Sequence, residues 1–401
     1  MRTAPAVLFW ASLLTGQQAS ETFDTIDAEQ FFGRLEALVD GTNLRIDQGG
    51  EKRLLPIDQL SSWHRPVIEG TSAQDAAASG MLHMRSGMAL ACSFIDADGM
   101  QVRLLIPPSL APVSLSLRHL FSLRVMQEAE EDGGFARALE RPPSTNDYLF
   151  AVNRDSGKIN RLSVTVQGFV DGNLQVLFHE ELRPVPIDRI YGLVLGRDLG
   201  SPPEPLARPT VTLSFDDGQS AHGRLSRWDG KHCSLTLADG ATLQLPCSSV
   251  LRFTVQSSKV LFLSDLDPSV EQVPAFDRIR PWLRDSSPAG KGLELHGKTY
   301  ARGLCLIPHT KLTFDLDGSF DFFAAVVGID DRSSREANAD FRVYADSEVV
   351  FEATTVRQGQ ASRFLRIPLA GHKHLTLEAD FGANFDFGDH CLFANARLLK
   401  N

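Results

Sequence analysis

A short aromatic segment in the last third of the chain carries the side chains best suited to hold a ligand. Trp282 is followed closely by Arg284 and Asp285. An indole offers an apolar face to the C–H side of a sugar ring, and the neighbouring charged groups can hydrogen-bond its hydroxyls. The alternative for the aromatic residues is simple packing in the core. The predicted carbohydrate-binding residues are Trp282, Arg284, Asp285, Tyr300 and Arg302.

A polar turn further along is a candidate metal site. Asp330 and Asp331 are adjacent and are followed by Arg332 and Ser333. Carboxylates grouped in a loop suit a structural Ca²⁺, which takes about six to eight oxygen ligands. The same residues can instead form a solvated turn in which Asp331 caps backbone amides. Apart from this calcium, the sequence predicts no cofactor, because it has no Cys-x-x-Cys or His-x-x-x-His spacing.

The chain has no recognisable catalytic constellation. A glycosidase needs two carboxylates about 5 to 10 Å apart across a cleft, whereas adjacent aspartates such as Asp216-Asp217 point apart. Gly-x-Ser-x-Gly, a phosphate-binding glycine loop and His-Glu-x-x-His are all missing from the sequence. We therefore predict that the protein is not an enzyme. A hydrolase with a site formed between domains is the third-ranked alternative.

Length and charge limit the classes of protein to which the chain can belong. With 401 residues and 43% hydrophobic content, the chain can form two to four domains with sizeable cores. The formal net charge is −10 and the basic residues form no run. Because phosphate neutralisation needs a basic patch, nucleic acid is not an expected partner. The partner predicted from the aromatic segment is a glycan or polysaccharide.

The N-terminus has the order of a secretory signal peptide. An apolar run from Ala6 to Leu14 follows Arg2, and small polar residues come next. The run is far shorter than the roughly twenty residues that cross a bilayer, so we expect no membrane span. Residues 1–19 are predicted to be a signal peptide cleaved after Ala19. The protein is then exported to a periplasm, the cell surface or the medium. The alternative is a buried N-terminal helix.

Five cysteines are too few and too scattered for a disulfide framework. Cys233 and Cys247 lie in one candidate β-unit and could pair across neighbouring strands. The other three, Cys92, Cys305 and Cys391, lie in apolar stretches and are expected to be buried thiols.

A repeated pattern fills the region before residue 257. Each copy has an Arg-Leu segment, an Asp-Gly turn, an alternating strand and a strand that ends at proline. The copies are predicted at 20–70, 145–197 and 207–256, with a weaker copy at 81–126. Each is expected to be a bent antiparallel sheet or small barrel that serves as scaffold, or that binds a partner at an exposed edge. Short helices are predicted from Asp27 to Val39 and from Ser114 to Leu123.

Residues 257–401 contain many short strands separated by turns, which predicts a two-sheet jelly roll. The distinctive motifs are Leu263-Ser-Asp-Leu266, Leu295-His-Gly-Lys-Thr-Tyr-Ala-Arg-Gly-Leu304, Lys311-Leu-Thr-Phe-Asp-Leu316, Val327-Gly-Ile-Asp-Asp331, Phe341-Arg-Val-Tyr344, Asp389-His390 and Ala394-Asn-Ala-Arg-Leu398. With these motifs, about a third of the chain resembles the NPCBM/NEW2 family of carbohydrate-binding modules. The resemblance implies a galactose-binding-like jelly roll that holds sugar at loops on one end.

The chain departs from that family pattern at three notable positions. Ile307, Leu392 and Phe393 stand where the family usually has histidine, aspartate and tryptophan. The leading hypothesis is an exported, non-catalytic protein whose all-β C-terminal jelly roll binds a glycan. The alternative is a structural or adhesion protein of the cell envelope that binds no sugar.

Overall fold

The computed structural model describes residues 20–27, 29–66, 78–196, 204–273, 280–383 and 388–400. The predicted signal peptide lies outside these residues. The chain divides into two compact units, residues 1–257 and residues 258–401. Among the described residues, no helix has the length and apolar character needed to cross a membrane.

The first unit contains four five-stranded repeats, A to D. Repeat A contains β1 (Glu21–Thr25), β2 (Gln30–Val39), β3 (Asn43–Gln48), β4 (Glu51–Pro56) and β5 (Leu60–His64). Repeat B contains β6 (Gly80–Met84), β7 (Ala89–Asp98), β8 (Gln101–Leu105), β9 (Val113–Ser116) and β10 (Leu120–Arg124). Repeat C contains β11 (Asp147–Val152), β12 (Ile159–Val170), β13 (Asn173–Phe178), β14 (Glu181–Pro186) and β15 (Ile190–Val194). Repeat D contains β16 (Thr210–Phe215), β17 (Ser220–Trp228), β18 (His232–Thr236), β19 (Thr242–Pro246) and β20 (Val250–Gln256).

Each repeat bends at the same place. The second strand is long and carries a register shift, as between Leu35 and Ala37 in β2 and between Leu225 and Arg227 in β17. Such an extra residue kinks a strand and increases its twist, so one strand can take part in two differently oriented sheets. A 3₁₀ turn precedes the fifth strand of every repeat. These turns are Ile57–Gln59, Leu117–His119, Ile187–Arg189 and Cys247–Ser249.

The repeats combine in pairs through their fifth strands. β5 of repeat A pairs with β20 of repeat D, with Trp63 opposite Phe253. β10 of repeat B pairs with β15 of repeat C, with Leu123 opposite Leu193. Two ten-stranded sheets result. Pairing through the fifth strands gives each repeat a partner, and one continuous cluster contains buried apolar residues from all four repeats.

The two predicted helices in this region are wrong. Gln30–Val39 is strand β2, and the segment predicted from Ser114 to Leu123 contains strand β9, a 3₁₀ turn and the start of β10. In the second segment the buried residues Leu115 and Leu117 alternate with more exposed ones, as in a strand. The first segment is extended because it pairs with both β1 and β3. The α-helix observed in the described residues, Phe135–Glu140, was not predicted.

The second unit is a sandwich of two antiparallel sheets. One has the order β23-β28-β35-β30-β33, with β21 also paired to β35, and the other has the order β22-β29-β34-β31-β32. The strands are β21 (Val260–Phe262), β22 (Ser269–Gln272), β23 (Leu283–Arg284), β24 (Ser286–Ser287), β25 (Gly290–Lys291), β26 (Leu293–Leu295), β27 (Lys298–Tyr300), β28 (Gly303–Leu306), β29 (Thr310–Asp315), β30 (Phe322–Ile329), β31 (Asn338–Ala345), β32 (Glu348–Arg357), β33 (Arg363–Pro368), β34 (His374–Phe381) and β35 (Cys391–Leu399).

The residues at the three departures from the family pattern are all buried. Phe393 is fully buried and its ring lies 5.6 Å from that of Phe341 in an edge-on contact. Leu392 and Ile307 are buried as well. Residues at these three positions thus serve packing. The predicted all-β class with a C-terminal jelly-roll sandwich is confirmed.

Candidate functional site

Four of the five predicted sugar-binding residues lie around one short segment. The 3₁₀ turn Leu263–Asp265 follows β21, and Asp267 comes two residues later. Arg284 reaches this segment from β23, because its Nη1 donates to the Ser264 carbonyl oxygen at 2.9 Å and its Nη2 to Asp267 Oδ1 at 2.7 Å. The guanidinium also lies 4.9 Å from the centre of the Trp282 ring. Arg284 therefore joins the aromatic residue to the turn.

Arg302 forms the second half of this cluster. Its guanidinium pairs with Asp265, with Asp285 at 3.2 Å, and lies 4.9 Å from the Phe262 ring. Asp285 has a left-handed backbone (φ 53°) and accepts a hydrogen bond from the Gly303 amide at 2.8 Å. Arg302 Nε is buried and has no hydrogen-bond partner among the described residues. The arrangement holds two guanidinium groups and three carboxylates in fixed positions.

Trp282 is only partly available to a ligand. Its side chain is half-buried and packs against the core of the sandwich. Because Arg284 covers part of the ring, a sugar can contact only the part that remains exposed. The cluster's hydrogen-bonding groups are therefore better placed for a ligand than the aromatic face on which the sequence argument relied.

Tyr300 belongs to a different group of residues. It lies in the hairpin of β26 and β27, opposite Leu293, and packs in a small apolar cluster on the outer side of the first sheet. Burial raises the pKa of Tyr300 above its ordinary value, although the charge of Arg397 opposes this effect. Lys298 Nζ lies 5.3 Å from the centre of its ring. The ring of Tyr300 thus packs against this cluster.

The predicted calcium residues are held by protein groups. Asp330 is fully buried and accepts hydrogen bonds from Arg332 Nε at 3.0 Å and Nη2 at 3.0 Å. Burial alone would raise the pKa of Asp330, but the bonds from Arg332 outweigh it and keep that pKa below its ordinary value. Asp331 Oδ2 accepts from the Gly297 amide at 2.7 Å.

Asp331 thus caps a backbone amide, as in the alternative that the sequence left open, but Asp330 is buried, whereas that alternative was a solvated turn. No group of three or more His, Cys, Asp or Glu side chains is arranged for a metal ion within the described ranges. A calcium ion at Asp330 would have to displace the Arg332 guanidinium. The calcium site stays a prediction.

The sequence analysis missed three groups that organise the site. Asp265 and Asp267 complete the charged cluster; Asp265 lies in the motif Leu263-Ser-Asp-Leu266, but the motif gave no indication of a partner for its carboxylate. Arg332 joins three segments, because its Nη2 also donates to Ser287 Oγ at 3.0 Å and to the Gly292 carbonyl oxygen at 2.8 Å. A pairing that joins residues so far apart in the chain leaves no local pattern to detect.

A separate groove lies between two loops of the sandwich and encloses about 530 Å³. It is lined by Asp315, Leu316, Asp317, Gly318, Gly371, His372, Lys373 and His374. Asp346 orients the imidazoles, since its Oδ2 lies 3.1 Å from His372 Nδ1. Its pKa is lowered to about 2, first by the backbone amide of Lys373 and then by His372. No sequence motif pointed to this groove.

Comparison with known proteins identifies the second unit. Residues 259–399 match the model of the NPCBM/NEW2 domain. The chain is 31% identical over 110 residues to "Putative endo-alpha-N-acetylgalactosaminidase" of Renibacterium salmoninarum, a match covering 27% of this chain and 7% of that protein. It is 32% identical over 107 residues to alpha-1,3-galactosidase B of Akkermansia muciniphila, covering 24% of this chain and 13% of that one.

Among solved structures, the CBM51 module of Clostridium perfringens GH95 with methyl-galactose is similar, at 26% identity and a TM-score of 0.32. That similarity covers 35% of this chain and 99% of the module. The matched part spans only a small fraction of the two curated relatives. Residues 259–399, which form the two-sheet sandwich, thus match the NPCBM/NEW2 domain, the family that the sequence motifs resemble.

Proposed function

We propose that this protein is an exported, non-catalytic carbohydrate-binding protein. The C-terminal domain holds the glycan, and repeats A to D form the scaffold that presents it. The observation that carries the proposal is the NPCBM/NEW2 match over residues 259–399, in a domain whose Arg284, Asp285 and Arg302 are already fixed in one cluster. Fixed donors and acceptors bind sugar hydroxyls without a further ordering cost.

The glycan is proposed to bind over the cluster from Trp282 to Arg302. The part of the indole that remains exposed contacts the apolar side of the sugar. The exposed polar atoms of Arg284 and Asp267 form hydrogen bonds with its hydroxyls. The Asp267 side chain is fully exposed although it is paired with Arg284, so its second carboxylate oxygen can accept hydrogen bonds from a ligand. The ion pairs of Arg302 with Asp265 and Asp285 hold the adjoining turn and strand together beside these groups.

The cluster is better suited to binding than to hydrolysis. The carboxylates of Asp265 and Asp285 both face the Arg302 guanidinium. A glycosidase instead keeps one carboxyl group as a proton donor and a second as nucleophile or base on opposite sides of the scissile bond. Two carboxylates that share one arginine are committed to the same cation, which supports a non-catalytic role.

The proposal is tested by binding of the full chain to immobilised glycans that end in α-galactose or α-N-acetylgalactosamine, the sugars named for the two curated relatives. We expect binding that falls at least tenfold in Trp282→Ala and in Asp267→Ala. Arg363→Ala is the matched control, because Arg363 is an exposed residue on β33 of the same domain. If the wild-type chain bound neither glycan type, the proposal would be contradicted.

A structural role in the cell envelope is the second candidate. It is favoured by the packing of Trp282 against the core and by the bonds that the Arg284 and Arg302 guanidinium groups make inside the protein. In that case Trp282→Ala lowers the unfolding temperature and the wild-type chain binds no glycan. Thermal unfolding recorded beside each binding curve separates the two roles.

A further inference from the structure

Two buried thiols of repeat D are in contact. The ladder of β18 and β19 places Cys233 opposite Leu245 and His232 opposite Pro246, and Cys247 begins the 3₁₀ turn that follows β19. Cys233 is 0% and Cys247 1% exposed. Their side chains form a hydrogen bond with each other. One cysteine lies on β18 and the other at the start of the turn after β19, and their side chains are within hydrogen-bonding reach, so the pair is a candidate for a disulfide.

We propose that Cys233 and Cys247 are a cross-linking site that is oxidised to an intramolecular disulfide. The oxidant is an external disulfide such as oxidised glutathione. One protein thiolate attacks a glutathione sulfur and releases one glutathione thiolate, and the second protein thiolate then displaces the other. One S–S bond forms in the protein, one breaks in glutathione, and the two thiol protons end on the two released glutathione molecules.

The structure also indicates when this bond forms. The hydrogen bond to Cys247 and burial both raise the pKa of Cys233 above its ordinary value. A thiol must lose its proton to attack a disulfide, and a thiol without solvent exposure cannot meet an external oxidant. The cross-link therefore forms while repeat D folds, and the folded reduced protein resists oxidation.

The cross-link lies next to the contact between repeats A and D. The Cys247 amide donates to the Lys231 carbonyl oxygen at 2.8 Å, and the Cys247 carbonyl oxygen accepts from Arg65 Nη1 at 2.7 Å. Arg65 follows β5 of repeat A and also pairs with Glu21 at 3.5 Å. Fixing the backbone at Cys247 thus fixes the anchor that repeat A uses, which makes the bond important for both repeats.

The other cysteines provide internal controls. Cys305 and Cys391 lie on the paired strands β28 and β35, but in the register Cys305 is opposite Leu392 and Cys391 is opposite Leu306. They lie on opposite faces of the sheet, because Cys305 packs in the outer cluster and Cys391 in the sandwich core. Cys92 lies in repeat B and is buried. The structure therefore predicts one specific pair and three free thiols.

The test is to refold the full chain from denaturant with a mixture of reduced and oxidised glutathione. The product is unfolded again, alkylated without reductant and weighed intact. We expect three alkylated cysteines and one linked peptide pair containing residues 233 and 247, against five alkylated cysteines after refolding in dithiothreitol. Cys247→Ser should give four alkylated cysteines under either condition. Folded, reduced protein exposed to the same glutathione mixture should keep five.

Five alkylated cysteines after oxidative refolding, or a link that includes Cys92, Cys305 or Cys391, would overturn the proposal. The oxidised protein should also unfold at a temperature higher by roughly 5 to 10 °C than the reduced one, in the transition of the first unit. The Cys247→Ser protein should show no such difference. An equal or lower temperature for the oxidised form would refute the stabilising role at the A–D contact.

Discussion

Removing the Arg332 side chain should destabilise the C-terminal domain strongly. In Arg332→Met, the fully buried Asp330 loses the hydrogen bonds from Nε and Nη2 of the arginine. It keeps the hydrogen bond from the backbone amide of residue 332, which is 2.9 Å long. Hydrogen bonds to charged groups contribute about 1.5 to 3 kcal/mol each, and breaking a buried pair costs about 3 to 5 kcal/mol. Because Arg332 keeps some solvent exposure, we expect the lower end, about 3 kcal/mol.

The stability difference between wild type and Arg332→Met should also depend on pH, which gives a second, independent test. The pKa of Asp330 is lower in the folded protein than its ordinary value, so the native state binds fewer protons there than the unfolded state. The stabilisation by the pair is thus complete above the ordinary aspartate pKa near 4 and is lost as the pH falls through the folded pKa. The difference between wild type and Arg332→Met should therefore be largest at neutral pH and should shrink below about pH 4.

The assay is differential scanning calorimetry of the full chain at pH 7 and near pH 3. About 3 kcal/mol corresponds to a fall of roughly 10 °C in the transition of the C-terminal domain. Arg332→Lys should lie between the two, since a lysine keeps the charge but not the fork of donors. Asp330→Asn combined with Arg332→Met should recover part of the loss. A single variant as stable as wild type at pH 7, or a double variant no more stable than Arg332→Met, would refute the reasoning.

Three further predictions concern the repeats, the metal and the N-terminus. Trp63→Ala should cost about 3 to 5 kcal/mol in the first unit, measured by urea unfolding, because the buried indole stacks on Phe253 at 5.2 Å and donates to Glu21 at 2.9 Å; Trp63→Phe, which keeps the stacking, should cost less. Adding Ca²⁺ should raise the unfolding temperature of the C-terminal domain if Asp330 and Asp331 bind it, and no shift at millimolar Ca²⁺ would count against the calcium prediction. Expression of the full sequence in a bacterium should yield an exported protein that begins at Ser20, and mass spectrometry that finds residues 1–19 retained would contradict the export prediction.

Local patterns were enough to predict the class of fold. Asp-Gly between alternating residues predicted turns, and Asp40-Gly41 and Asp171-Gly172 do have the positive φ values of such turns. Proline-ended strands marked the same point in three repeats, where a 3₁₀ turn follows. These features depend on neighbouring residues alone, so they can be inferred without knowing the partners. The segments predicted as helices failed because a short apolar pattern fits both periods until its partner strand is known.

The amino-acid sequence by itself determined that this protein is all-β, that it contains repeats before residue 257, and that a carbohydrate-module-like sandwich ends it, because alternation, turns and motif order are local properties. Only the tertiary structure decided that repeat A pairs with D and B with C, that Asp265 and Asp285 share Arg302, and that Arg332 occupies the aspartate predicted to bind calcium. Each of these depends on groups far apart in the chain. No local pattern encodes such contacts, because they depend on how distant segments pack.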